Sequence, residues 1–159
     1  DEKRIMAKTQ REEFTRKQRG TLDADAAEEL FTKVDETGHP HTAVMDMMWE
    51  DGKTVYFLTA DFKPLYKRLK EDGRVALTGM TQGAGTMDRK SISLTGQVEW
   101  IGKEHLEELL EANPYMYEIY PTEEGRSHLQ VFRFKNAVGN FYDLTQLPPY
   151  QARFEIEGR

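Results

Sequence analysis

The chain is predicted to be an α+β, mainly β domain: an antiparallel β-barrel or curled sheet of six to seven strands, with helical elements inserted at two points. Three observations predict this. Short apolar runs of strand length recur along the chain, punctuated by turn signals such as Gly38 and Asp51-Gly52. Helical spacing is confined to two regions, one after Pro64 and one from Lys103 to Tyr120. A length of 159 residues suits one compact domain better than two.

The elements follow in order. Glu29 to Val34 followed by Asp35-Glu-Thr-Gly38 predicts a strand and a tight turn, in which Gly38 supplies a positive φ. His39 to Glu50 is a second extended run, rich in Val and Met, and Asp51-Gly52 predicts a hairpin into a third. Thr54 to Thr59 alternates, with Val55 and Phe57 on one face and Tyr56 and Leu58 on the other; both faces are apolar, so the strand is expected to be central. Three successive strands with short turns predict a meander. Pro64 fits a first helical turn, Leu65 and Leu69 share a face, and Gly73 stands at a helix end. Arg74 to Met80 and Ser91 to Ile101 predict two more strands. Leu106, Leu109 and Leu110 mark an amphipathic helix to Ala112, and Pro114 opens a second helical segment through Tyr120. Leu129 to Phe134 and Asn140 to Leu144 are expected to form a hairpin around Gly139, with Pro148-Pro149 closing the ordered domain. The expected divisions are an arm or helix over 1–20, a domain over 21–147 and a tail over 148–159. The tail ends Ile156-Glu-Gly-Arg159, which matches the recognition sequence of a tag-removal protease.

Composition removes several function classes. With no cysteine, there is no disulfide framework, thiolate metal site or cysteine nucleophile. A net charge of −6 opposes general nucleic-acid binding, which needs a basic footprint. The charge is uneven: residues 1–20 hold seven basic and four acidic side chains, and they are read as a solvated or partner-docked helix. No apolar run approaches the roughly 18 residues of a membrane span. No secretory core stands near the start, so a cytoplasmic location is expected.

One local feature points to a ligand. Thr59 and Lys63 flank a junction where a strand turns directly into a helix. A helix N-terminus presents unpaired N–H groups and a partial positive charge, which favour an anion such as phosphate. A hydroxyl and an ammonium there add a neutral donor and a point charge. Lys67 and Arg68, one turn further on, are read as solvated.

Several segments in this order resemble the pyridoxamine 5′-phosphate oxidase-like family, the FMN-binding split β-barrels. They are Asp35-Glu-Thr-Gly-His-Pro-His41, Trp49-Glu-Asp-Gly-Lys-Thr-Val-Tyr-Phe-Leu-Thr-Ala60, Lys63-Pro-Leu-Tyr-Lys-Arg-Leu-Lys-Glu-Asp-Gly-Arg-Val-Ala-Leu-Thr78 and Leu94-Thr-Gly-Gln-Val98. The resemblance covers residues 29–145. It implies a homodimer with FMN at the subunit interface. It also implies that the turn of Thr59, Ala60, Phe62 and Lys63 meets the FMN phosphate, while the backbone of Val44, Met45, Asp46 and Met47 lies along the isoalloxazine edge. Members of the broader family use FMN, a deazaflavin or haem. True pyridoxamine phosphate oxidases carry two adjacent basic residues at the phosphate turn and an Arg-x-His signature near the C-terminus. This chain has Phe62-Lys63 and no such signature, so that activity is not expected. An FMN-dependent oxidoreductase acting on an unidentified small molecule is the leading expectation. A non-catalytic flavin- or haem-binding protein, or an interaction module without cofactor, are the alternatives.

Other candidates compete with plainer roles. Asp46 is either an acceptor for a flavin ring N–H or an outward strand aspartate. His39 and His41 flank a proline at a turn without a convergent carboxylate set, so solvent is their expected surrounding rather than a metal. His128 is a lone histidine in a polar loop that could ligate haem in a haem-degrading relative. Met45, Met47, Met48 and Trp49 form either a soft wall beside a cofactor or ordinary core. Tyr115, Tyr117 and Tyr120 are read as packing a helix end. Gly83-Ala-Gly85 lacks the spacing and helix context of a nucleotide-binding fingerprint.

Overall fold

A computed structural model of the chain describes residues 26–81 and 83–157. The basic arm of residues 1–20 lies outside the described residues. The architecture is mainly β. Eight strands form one antiparallel sheet: β1 (Ala26–Val34), β2 (Pro40–Val44), β3 (Trp49–Glu50), β4 (Val55–Ala60), β5 (Arg74–Thr81), β6 (Lys90–Gly102), β7 (Leu129–Asp143) and β8 (Tyr150–Glu157). Four short helices interrupt it: α1 (Pro64–Glu71), α2 (Leu106–Ala112), α3 (Met116–Ile119) and α4 (Glu123–Arg126). The spatial order is β2-β1-β5-β6-β7-β4-β3, and β8 also pairs with β7.

β7 is the spine. It pairs with β6 along one edge and with β4 and then β8 along the other, Arg133 facing both Glu99 and Tyr56, and Val138 facing both Thr95 and Glu155. Two apolar clusters lie on the opposite faces of β4 and β7, as strand alternation requires. One holds Val55, Phe57, Phe132, Phe134, Leu77, Leu94 and Phe154; the other holds Tyr56, Leu58, Leu129, Val131, Leu109, Leu110 and Met116. The doubly apolar pattern of Thr54 to Thr59 therefore does reflect burial on both faces.

Four expectations are corrected by long-range packing. The predicted meander is absent, because β2 and β3 stand at opposite ends of the strand order. The run from His39 to Glu50 is broken between them, where Met47 enters one cluster and Met48 the other. Met48 N donates to Tyr56 O at 2.8 Å, so the chain has already crossed to β4. The predicted hairpin around Gly139 is a single 15-residue strand. Gly139 is needed there because a Cβ would lie 2.2 Å from the Phe154 ring. It permits close approach rather than a turn. The chain does not end its ordered structure at Pro149: β8 pairs with Asn136 to Asp143, burying Phe154 and Ile156. Finally, α4 escaped the sequence reading; Thr122 caps it by accepting from Gly125 N at 3.0 Å.

Tyr56 couples the core to the β3–β4 turn. Its ring is buried and its hydroxyl donates to Asp51 Oδ2 at 2.7 Å. Burial, then the bond to the Asp51 carboxylate, pushes the phenol up to about 12. The folded protein thus holds this proton more tightly than the unfolded chain. That stability is whole below about pH 10 and lost as pH rises towards the folded value. Tyr56→Phe should lower stability by about 1 kcal/mol at neutral pH and abolish this part of the alkaline unfolding transition. Unfolding curves at pH 8 to 12 (approximate range) check this; an unchanged alkaline limb would assign the transition to other groups.

Candidate functional site

The strand-to-helix junction has the form the sequence predicts. β4 ends at Ala60, Lys63 N donates to Ala60 O at 3.0 Å, and Pro64 opens α1. Lys63 is extended (φ −85°, ψ 143°), as a residue before proline prefers. No acidic side chain occupies the first turn of α1, and Arg68 and Lys70 lie in its last turn. The helix end facing the junction therefore keeps its positive character.

Thr59 is 5% exposed, and Ala60 is buried. Among the described residues the Thr59 hydroxyl makes no hydrogen bond. A hydroxyl without a protein partner is free to donate to, or accept from, a ligand. Phe62 is 64% exposed, and Lys63 is exposed. This set fits a phosphate: the hydroxyl of a buried threonine, a helix start and an exposed ammonium.

The second predicted stretch follows β2. Val44 is 70% exposed, Met45 is half-buried against the larger core, and Met47 is buried within it. Asp46 is exposed and accepts a hydrogen bond from the Tyr115 hydroxyl, which ties this stretch to the segment before α3. The Met47 and Met48 side chains are therefore core, and a ligand there meets backbone, Val44 and Asp46.

A polar chain that the sequence did not disclose borders the turn from Thr59 to Lys63. Trp100 Nε1 donates to Gln130 Oε1 at 2.9 Å, and Gln130 Nε2 reaches Asp61 Oδ2 at 3.4 Å. Asp61 Oδ1 meets His128 Nδ1 at 2.8 Å, while Asp61 N donates to His128 O at 2.8 Å. The His128 bond and then the Gln130 amide hold the Asp61 carboxyl below its usual range. The register places Thr59 opposite Gln130 and Ala60 opposite Leu129, so His128 falls beside Asp61. Lys103 Nζ donates to Ser127 O at 2.5 Å and to Leu129 O, and its burial lowers its pKa. Asp61 and His128 are 67 positions apart, and no local pattern announces their pairing.

His39 and His41 serve local structure, and the His105 ring packs against Trp49 and Tyr56. His41 Nε2 meets Asp35 Oδ2 at 2.6 Å, and His39 Nδ1 meets Thr37 Oγ1 at 2.7 Å. The Thr37 hydroxyl, His41 and the His39 N–H together hold the Asp35 carboxyl far below its usual range. Among the described residues no group of three or more His, Asp or Glu side chains is placed to hold a metal. Nor is any described helix long and apolar enough to cross a membrane.

The model of the pyridoxamine 5′-phosphate oxidase family matches residues 31–142. Comparison with curated proteins finds no match. Among solved structures, the chain is similar to a NimC/NimA family protein from Clostridium acetobutylicum (TM-score 0.71, 19% identity, 87% of this chain and 90% of that one). It is also similar to a heme-binding protein from Mycobacterium smegmatis (TM-score 0.64, 14% identity, 84% of this chain and 54% of that one). A third is an F420 reductase (TM-score 0.54, 16% identity, 72% of this chain and 89% of that one). At these identities the likeness is one of fold, the split β-barrel.

Proposed function

Because the chain belongs to the pyridoxamine 5′-phosphate oxidase family, we propose that it binds FMN and acts as a flavin-dependent oxidoreductase on a small molecule. The observation that carries this reading is the turn from Thr59 to Lys63, where the hydroxyl of a buried threonine, an exposed lysine and the start of α1 converge. FMN, when bound, supplies hydride transfer at its ring system. The chain's own residues bind and orient it. Lys63 contributes a point charge to the phosphate and Thr59 a donor. The backbone of Val44 to Met47 offers edge hydrogen bonds. Asp46 accepts a ring N–H alongside the Tyr115 hydroxyl it already accepts, since a carboxylate has room for several donors.

The two stretches suit an elongated ligand. Met48 joins β4 at Tyr56, and Thr59 lies three residues further along, about 10 Å away at strand rise. The exposed Val44, Phe62 and Tyr115 are apolar surface at these positions. We place a second copy of the chain over them, enclosing the cofactor and excluding water. The similarity to a heme-binding protein makes haem the second reading, and that to an F420 reductase makes a deazaflavin the third.

The absorbance spectrum of the purified chain distinguishes these. Bands near about 375 and 450 nm accompany a flavin, and a Soret band accompanies haem. FMN at a hundredfold excess over its Kd should stabilise the fold by about 2.7 kcal/mol. Neither spectral change nor stabilisation on adding FMN would end the flavin reading. An FMN-bound species with the mass of one 18.5-kDa chain would remove the second copy from it.

A further inference from the structure

We propose that His128 is a second cationic group of the phosphate turn, oriented by Asp61 through Nδ1 and offering the Nε2 proton of its imidazolium to the bound phosphate. The proposal rests on the flavin reading above and deepens it. A phosphate monoester carries a charge of about −1.5 to −2 at neutral pH, and the segment from Thr59 to Pro64 supplies one cation, Lys63. The neighbouring cations are committed elsewhere. Lys103 Nζ is held by the carbonyls of Ser127 and Leu129. Arg126 Nη1 donates to Tyr120 O at 2.8 Å, and its guanidinium lies over the Tyr117 ring.

His128 is placed differently. Its ring is bonded to Asp61 at Nδ1 and lies edge-on to Phe62, with centroids 5.7 Å apart. Among the described residues Nε2 has no hydrogen-bond partner, and the residue is exposed. A histidine whose Nδ1–H is given to a carboxylate has a bare Nε2 when neutral, and donates there only as the imidazolium. The phosphate contact is therefore present at low pH and lost as His128 deprotonates. Deprotonation also leaves the Asp61 charge uncompensated beside the phosphate. The charged groups shown near the ring are Asp61, which it bonds, and Lys103, whose charge also acts on Asp61.

FMN and riboflavin Kd values measured from about pH 5 to about pH 9 for wild type, His128→Gln and Asp61→Asn test this. The substituted glutamine retains an amide donor for Asp61 without the charge. His128→Gln should weaken FMN about tenfold at the acid end, leave riboflavin unchanged, and converge on wild type at the alkaline end. The ionisation of free FMN is common to both proteins and cancels in their ratio. Asp61→Asn should move the convergence to lower pH, because the imidazolium loses its carboxylate partner. In the wild-type chain the NMR titration midpoint of the His128 ring should rise on saturation with FMN and not with riboflavin. An unmoved midpoint, a pH-independent ratio or equal weakening of both flavins would overturn the proposal while leaving the flavin reading standing. Failure of the wild type to bind either flavin would refute that reading, and this inference with it.

Discussion

Phe132→Ala should cost about 3–5 kcal/mol of folding stability and lower Tm by about 10 °C. The residue is fully buried on the spine strand β7, with Phe57 opposite it on one edge and Trp100 on the other. Its ring stacks on Phe57 (centroids 5.6 Å, interplanar angle 12°) and meets Tyr66 of α1 edge-on at 6.1 Å. Truncation removes the transfer free energy of an aromatic ring and leaves a cavity that three sequence-distant elements cannot jointly fill. Because Tyr66 lies on α1, the same variant should also loosen the turn that precedes this helix. Denaturant unfolding provides the check. A loss below about 1 kcal/mol would mean that the site collapses freely, which rigid packing on both sides of β7 does not allow.

Lys63→Ala should leave the stability of the unliganded chain within about 0.5 kcal/mol, since its side chain is exposed and forms no ion pair or side-chain cap among the described residues. Its effect is expected on the ligand. FMN affinity should fall about tenfold, the scale of a hydrogen bond to a charged group at an accessible site. Riboflavin, which lacks the phosphate, should bind the variant as it binds wild type. Raising the salt concentration should narrow the FMN difference, because an exposed charge is screened. Titration of both flavins into both proteins decides the matter. Equal weakening of the two would mean that Lys63 supports the ring site or the fold rather than the phosphate. The double variant with His128→Gln should be weaker than either single one at acid pH, since two cations facing one phosphate contribute separately.

Much of the fold was legible because its signals are local. Asp51-Gly52 between apolar runs specified the β3–β4 hairpin, and the doubly apolar alternation from Thr54 to Thr59 specified a strand buried on both faces. Pro64 and the Leu65–Leu69 spacing specified α1, and with it the junction holding Thr59 and Lys63. Gly139 misled because glycine has two uses. It permits a turn by its φ, or it permits a close approach by lacking Cβ, and only the position of Phe154 shows which applies. The run from His39 to Glu50 misled because Met47 and Met48 are apolar whether they extend a strand or carry the chain between two cores.

The sequence by itself determined a mainly β antiparallel domain, its strand-to-helix junction and the residue types that make the junction attractive to phosphate. These depend on turn chemistry, proline geometry and periodicity within a few residues. Tertiary structure alone decided that β2 and β3 stand at opposite ends of the sheet, that β8 completes the spine, and that Asp61 grips His128 beside the turn. Those outcomes depend on which strands pair and in what register. Pairing between distant segments is set by the free energy of burying two whole faces together, a quantity that no single stretch of chain encodes.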